Sequence, residues 1–96
     1  KWENLKNEKD LARKVHGIIL AFCDRIHNIE TLDAMPPEKR KWKIKETKKR
    51  FPFLIAHLDD AINKLIRKGA FKNMEHMKSL PYKLMARLES AMRKYE

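Results

Sequence analysis

The sequence predicts an all-α fold, a bundle of about five helices in a single domain of residues 1–96. The chain has 43% apolar and 38% charged residues, with two glycines and four prolines. This composition is typical of a folded helical chain rather than of a disordered one. No stretch keeps the apolar–polar alternation of a β-strand for long, and the length suffices for one hydrophobic core.

The first predicted helix carries apolar residues at every third or fourth position: Leu11, Val15, Ile18, Phe22, Ile26 and Ile29. We expect this helix to begin after Asn7 as its cap, with Glu8 and Asp10 in its first turn, and to end near residue 29. Because the apolar stripe is long, we expect this chain to leave part of it uncovered. A missing N-terminal segment or a second chain would then pack against it. Cys23 lies beside the stripe and is expected to be a small buried residue.

Prolines divide the remainder of the chain into four further predicted helices. A proline is tolerated in the first helical turn and disfavours helix at the residue before it. The predicted helices span residues 37–50, 52–68, 71–80 and 82–95, with Gly69 as a stop signal. The residues expected to face the core are Trp42, Ile44, Phe53, Leu54, Leu58, Ile62, Leu65, Ile66, Met74, Met77, Leu80, Leu84, Met85, Leu88, Ala91 and Met92.

The chain is strongly basic, with a net charge of +10, which favours an anionic partner such as a nucleotide or a nucleic acid. Positive residues are concentrated between positions 39 and 50, beginning with Lys39, Arg40, Lys41 and Lys43. This segment is either a solvated lysine-rich face or a surface that attracts phosphate. A single cysteine excludes an internal disulfide and fits the cytoplasm. No apolar run is long enough to predict a membrane span.

Polar residues form a second face on the first predicted helix. Asp24, Asn28 and Thr31 follow one another at spacings of four and three, so they share one side of the helix. A carboxylate, an amide and a hydroxyl are costly to bury together unless something binds them. This face is therefore the candidate functional site.

The same residues belong to a nine-residue stretch, Asp-Arg-Ile-His-Asn-Ile-Glu-Thr-Leu, at positions 24–32. It resembles the ADRLHNMRTL signature of HD-domain hydrolases of the RelA/SpoT type, which remove the 3′-pyrophosphate from (p)ppGpp. The resemblance extends through Met-Pro-Pro-Glu-Lys-Arg at 35–40, Glu-Thr at 46–47 and the Phe-Pro…Leu…His-Leu cluster at 51–58. It covers roughly residues 15–58.

The resemblance implies that Asp24 is one ligand of a divalent metal, Mn²⁺ or a similar ion, because hard carboxylate oxygens and imidazoles suit such ions. It further implies that Asn28 and Thr31, with Arg25 nearby, line the site for a guanosine nucleotide substrate. Arg25 is also expected to pair with a carboxylate, and His27 to have a structural role.

The sequence departs from this family in one respect. It contains no His-Asp dipeptide, so the other metal ligands are expected before Lys1. Either the chain is the C-terminal part of an HD phosphohydrolase domain, inactive by itself, or it is a degenerate remnant. We favour the first interpretation because Asp24, Asn28 and Thr31 are all present.

Two alternatives without catalytic activity remain open. The chain could be a small basic helical module that binds nucleic acid through residues 39–50, or a helical protein-interaction module. Metal content would separate the classes, because a nucleic-acid module should show a steep salt dependence and no bound metal.

Overall fold

A computed structural model describes residues 9–69 and 74–95. These residues form three α-helices, α1 (Leu11–Glu30), α2 (Pro37–Arg67) and α3 (Leu80–Arg93). A 3-10 turn at Leu32–Ala34 follows α1, and a second at Met74–Ser79 precedes α3. No strand occurs within the described ranges. The all-α class is therefore confirmed, whereas the count of about five helices is wrong.

The main correction concerns α2, which continues through the predicted break at residues 51–52. Pro52 lies inside the helix and is exposed. An interior proline removes one backbone hydrogen bond and costs about 3 kcal/mol or more. Phe51 is fully buried and packs edge-on against Phe22, with ring centroids 4.8 Å apart. Together with buried Leu54 and Leu58, at about 1.5–3 kcal/mol for each side chain, this packing outweighs the loss.

The ends of the helices follow capping chemistry. Asp10, predicted to lie in the first turn of α1, is instead its N-cap, and its side chain accepts a hydrogen bond from the Arg13 backbone N–H at 3.1 Å. The predicted cap Asn7 lies outside the described residues. Gly69 follows α2 with a φ of +68°, a conformation that glycine adopts without strain. It is the predicted stop.

The predicted fourth and fifth helices differ from the structure. Residues 74–79 form a 3-10 turn, and the α-helix starts at Leu80, with Pro81 in its first turn. Pro37 likewise occupies the first turn of α2. Both positions agree with the rule that only the first turn tolerates the missing amide hydrogen. Residues 71–73 of the predicted fourth helix lie outside the described ranges.

The three helices form an up-down-up bundle. Side-chain contacts pair Arg25 with Thr47 and Lys14 with His57, so α1 and α2 run antiparallel. Lys94, just after α3, contacts Asp33, just after α1, so these two helices run in the same direction. The core between them contains Val15, Ile18, Phe22, Ile26, Ile29, Leu32, Ile44, Phe51, Leu54, Leu58, Ala61, Ile62, Leu65, Leu88 and Met92.

This packing corrects the prediction of an uncovered apolar stripe. Of its six residues, five are buried and Leu11 is partly buried against the core. The expectation of an uncovered stripe is therefore wrong, and the packing of a second chain or a missing segment against the first helix stays a prediction. Three single residues also differ from prediction: Trp42 and Phe53 are 61% and 62% exposed, and Cys23 is exposed.

Candidate functional site

The predicted polar face lies on the outer side of the C-terminal half of α1. Asp24 is exposed and Asn28 is partly buried one turn further on. The Asn28 side-chain amide donates to Asp24 Oδ2 at 3.5 Å. The structure thus brings together the carboxylate and the amide, as their spacing predicted, and leaves the Asn28 side-chain carbonyl able to accept a further hydrogen bond.

Thr31, the third member of this face, follows the last residue of α1 and is exposed. Its hydroxyl donates to the backbone carbonyls of His27, at 3.0 Å, and Asn28, at 3.2 Å. The single hydroxyl hydrogen is therefore used within the helix terminus. In this arrangement the oxygen remains available as an acceptor.

Arg25 points away from this face and into the α1–α2 interface. It is 5% exposed. Its guanidinium donates to Thr47 Oγ1 at 3.4 Å, lies 3.9 Å from Glu46 Oε1 and stands over the Phe51 ring at 5.3 Å. Thr47 is itself fully buried and donates to the Lys43 carbonyl at 2.7 Å. The expected pairing of Arg25 with a carboxylate is therefore present.

The electrostatics around Arg25 connect the two helices. Burial lowers the pKa of Arg25 from its ordinary value, while Glu46 and Asp24 act in the opposite direction and Arg50 adds to the lowering. Glu46 also lies 3.8 Å from Arg50, so one carboxylate is shared by two guanidinium groups. Asp24 thus sits at the exposed end of a charged cluster whose buried member is Arg25.

The donor atoms around Asp24 decide how far the structure supports a metal site. Within residues 9–69 and 74–95, no group of three or more His, Cys, Asp or Glu side chains is placed to hold a metal ion. Asp24 offers a hard oxygen of the kind that Mn²⁺ prefers, but one carboxylate does not form a metal site. A carboxylate oxygen is a suitable ligand for Mn²⁺, but the described residues supply too few ligands to hold the ion. Metal ligation by Asp24 therefore stays a prediction.

The basic segment lies within the first four turns of α2. Lys39 and Lys41 are exposed, and Arg40 and Lys43 are partly buried. An open cleft of about 460 Å³ lies where this segment meets the preceding loop. Its lining residues are Met35, Glu38, Lys39, Trp42 and Lys43. Two other clefts lie elsewhere, one beside Glu30 and α3 and one along the last turns of α2.

Sequence reasoning missed the exposure of Trp42 in this cleft. The sequence predicts Trp42 in the core because it is one of few large apolar side chains in a lysine-rich segment. The available signal was its position relative to Ile44 and Thr47, since a helix that buries those two directs residue 42 to the opposite side.

No helix within the described ranges is both long and apolar enough to cross a membrane. The cytoplasmic location stays a prediction.

Comparison with known proteins gives one local similarity. The chain is 42% identical over 41 residues to a probable guanosine-3′,5′-bis(diphosphate) 3′-pyrophosphohydrolase of Synechocystis. The match covers 43% of this chain and 5% of that protein, so the chain spans a small fraction of its relative's length. No protein-family profile matches the chain, and no solved structure matches it significantly. The similarity supports a relationship to RelA/SpoT-type hydrolases over a limited region.

Proposed function

We propose that this chain is part of a metal-dependent phosphohydrolase domain that removes the 3′-pyrophosphate from the guanosine nucleotide (p)ppGpp. The observation that carries the proposal is the local identity to a probable pyrophosphohydrolase that acts, by its name, on guanosine-3′,5′-bis(diphosphate). The joint presence of Asp24, Asn28 and Thr31 on one accessible face of α1 supports it.

In this proposal Asp24 contributes one carboxylate to a Mn²⁺ site, and the other ligands come from outside the described residues. The Asn28 amide hydrogen bond to Asp24 limits the rotation of the carboxylate. Such a supporting contact matters because groups that orient metal ligands change metal affinity substantially.

Thr31 has a defined chemical role in the same proposal. When its hydroxyl donates to these backbone carbonyls, its oxygen can still accept a hydrogen bond from a ligand. The edge of guanine that carries N1–H and the exocyclic amino group supplies such donors. We therefore assign Thr31 to that edge rather than to a phosphate oxygen, which cannot donate.

For Arg25, the structure favours a positioning role. Its guanidinium is already engaged by Thr47, Glu46 and the ring of Phe51. It would act by holding α1 against α2, so that the adjacent residue Asp24 is presented outward. A direct contact between Arg25 and the substrate remains only a prediction.

Lys39, Arg40, Lys41 and Lys43 would raise the local concentration of the polyanionic substrate. They begin eight residues after Thr31 along the chain, in the first turns of α2. Because such exposed charges are screened by salt, we expect their contribution to substrate binding to weaken at high ionic strength.

The test uses the intact protein that contains this chain, measured for Mn²⁺ content and for (p)ppGpp hydrolysis. Asp24→Asn keeps the size of the side chain and removes its charge. We expect both metal content and rate to fall by more than about tenfold, the lower end of the loss caused even by groups that only support metal ligands. Glu89→Gln, an equal change of charge at an exposed position on α3, should leave both unchanged.

Two results would contradict the proposal at different levels. If Asp24→Asn retains full metal content and activity, Asp24 is not a ligand. If the metal-loaded protein leaves (p)ppGpp intact and cleaves another nucleotide, the phosphohydrolase class stands and the substrate assignment is wrong.

A further inference from the structure

The exposed side of α2 combines an aromatic ring with an excess of positive charge. Trp42 is 61% exposed and lines a cleft together with Met35, Glu38, Lys39 and Lys43. Lys39 and Lys45 stand three residues before and after Trp42, about one helical turn away on either side. Glu38 and Glu46 stand four residues before and after Trp42, and lysines outnumber them on this side of the helix. The indole therefore offers a stacking surface with a net positive border. We call Trp42, Lys39, Lys43, Lys45 and Lys49 the Trp42 face.

The lysine pairs of this face oppose the stability of the helix, and Glu46, three residues from both Lys43 and Lys49, offsets part of this effect. None of its four lysines forms an ion pair within the part of the chain that the structure describes. Lys39 and Lys43, and likewise Lys45 and Lys49, are separated by four residues, a spacing at which like charges destabilise a helix. Exposure of Trp42 also forfeits the stabilisation that its burial would bring. A bound polyanion would neutralise the lysines and cover the ring.

We propose that the Trp42 face binds single-stranded nucleic acid, with a base stacked on Trp42 and phosphates at the flanking lysines. Stacking on an aromatic side chain tolerates any sequence because every base has a π-face. Lysines alongside the ring neutralise the phosphates on either side of the stacked base. The Trp42 face uses none of Asp24, Asn28 and Thr31, but it shares Lys39 and Lys43 with the surface proposed above to attract (p)ppGpp.

Two other anionic partners fit this face less well. A helix that lies on a membrane presents a broad apolar side with lysines at its margins. Here the broad apolar side of α2 is buried in the core, and Lys45 and Lys49 share the outward side with Trp42. A duplex hides its base faces within the stack, so it would engage the lysines and leave the ring unused. Only a single strand uses both components of the face.

The binding experiment measures the fluorescence anisotropy of labelled 12-nucleotide oligo-uridine and oligo-thymidine with the 96-residue chain. We expect Trp42→Ala to weaken binding at least fivefold, the lower end of the effect of removing one stacked base contact. Trp42→Leu keeps apolar bulk in the cleft without an aromatic face, and we expect the same loss. Helical circular dichroism should be unchanged in both variants, because the side chain is exposed.

The matched control distinguishes binding at the Trp42 face from general electrostatic attraction to a positively charged chain. Lys39→Gln combined with Lys43→Gln should reduce the slope of log K against log salt by about 1.4, or 0.7 for each phosphate contact with a single strand. Lys68→Gln combined with Lys83→Gln removes the same charge from exposed positions elsewhere and should leave the slope unchanged. In a Trp2→Phe background, bound oligonucleotide should quench the fluorescence of Trp42.

Several outcomes would overturn the inference. Equal losses from the two lysine pairs would show that net charge alone attracts the strand. Unchanged affinity in Trp42→Ala and Trp42→Leu would exclude stacking. Tighter binding to a duplex of the same length would exclude single-strand selectivity. A blue shift of Trp42 fluorescence on phosphatidylserine–phosphatidylcholine vesicles, with tighter binding than to the oligonucleotides, would assign the face to a membrane surface.

Discussion

Replacement of Arg25 tests whether this buried residue holds α1 against α2. The relevant contacts are the hydrogen bond to Thr47 at 3.4 Å, the ion pair with Glu46 at 3.9 Å and the position over Phe51 at 5.3 Å. The perturbations are Arg25→Ala, which removes charge and stem, and Arg25→Met, which keeps an unbranched apolar stem and removes the charge.

The expected change in the free energy of unfolding follows from the separate contributions of the Arg25 contacts. The hydrogen bond contributes about 1 kcal/mol, the partly exposed ion pair at most about 1 kcal/mol and the ring contact about 1 kcal/mol. Burial of the methylene stem adds about 2 kcal/mol. Against these stands the desolvation of a buried guanidinium, which amounts to several kcal/mol. The favourable polar contributions and the cost of desolvation nearly cancel. The packing of the methylene stem therefore determines the change in the free energy of unfolding.

We therefore expect Arg25→Ala to lower the free energy of unfolding by about 2–3 kcal/mol, mainly through lost packing. Arg25→Met should lie within about 1 kcal/mol of the unmodified chain, because apolar replacement of a buried charge is often close to neutral. Glu46 is not left isolated in either variant, since it retains its contact with Arg50.

The assay is urea unfolding of the 96-residue chain followed by circular dichroism, with Arg87→Ala as the control. Arg87 is exposed on α3, and its replacement should change stability by less than about 0.5 kcal/mol. If Arg25→Met were as destabilised as Arg25→Ala, the stabilisation from the charged contacts would exceed the cost of desolvating the guanidinium. That result would refute their near-cancellation. A loss below about 0.5 kcal/mol for Arg25→Ala would refute the role in holding the helices together.

Three further predictions follow from single features of the structure. Pro52→Ala should raise the free energy of unfolding by about 1–3 kcal/mol, because an exposed interior proline lacks one helical hydrogen bond; urea unfolding tests this, and a destabilised variant would contradict it. A hydrogen bond from Lys94 lowers the pKa of Asp33 below its ordinary value, so its stabilising contribution is present above that value and is lost on acidification. The difference in urea midpoint between the unmodified chain and Asp33→Asn should therefore shrink as pH falls from 5 towards 2, and a constant difference would argue against the ion pair. Thr31→Val in the intact protein should raise KM for (p)ppGpp several-fold, from loss of a hydrogen bond of about 1 kcal/mol, with metal content unchanged; an unaltered KM would remove Thr31 from the substrate site.

The candidate face was largely predictable because its geometry is local. Asp24, Asn28 and Thr31 share one side of a helix wherever that helix packs, and the spacing alone places them. What spacing could not provide was the direction of each hydrogen bond. That Thr31 donates to two carbonyls at the end of α1 required the helix to end at that residue.

The sequence by itself determined the helical class, the core face of α1 and the use of Pro37, Pro81 and Gly69 at helix ends, because periodicity and capping act over one or two turns. The tertiary structure alone decided that α2 continues through Pro52. Local preference opposes helix at that point, and the burial of Phe51 against a ring 29 positions earlier in the chain outweighs it. The tertiary structure also decided that Trp42 is exposed and that the helices of this chain cover the apolar stripe of α1. Whether a large apolar side chain is buried depends on which helices lie beside it, and no local pattern contains that information.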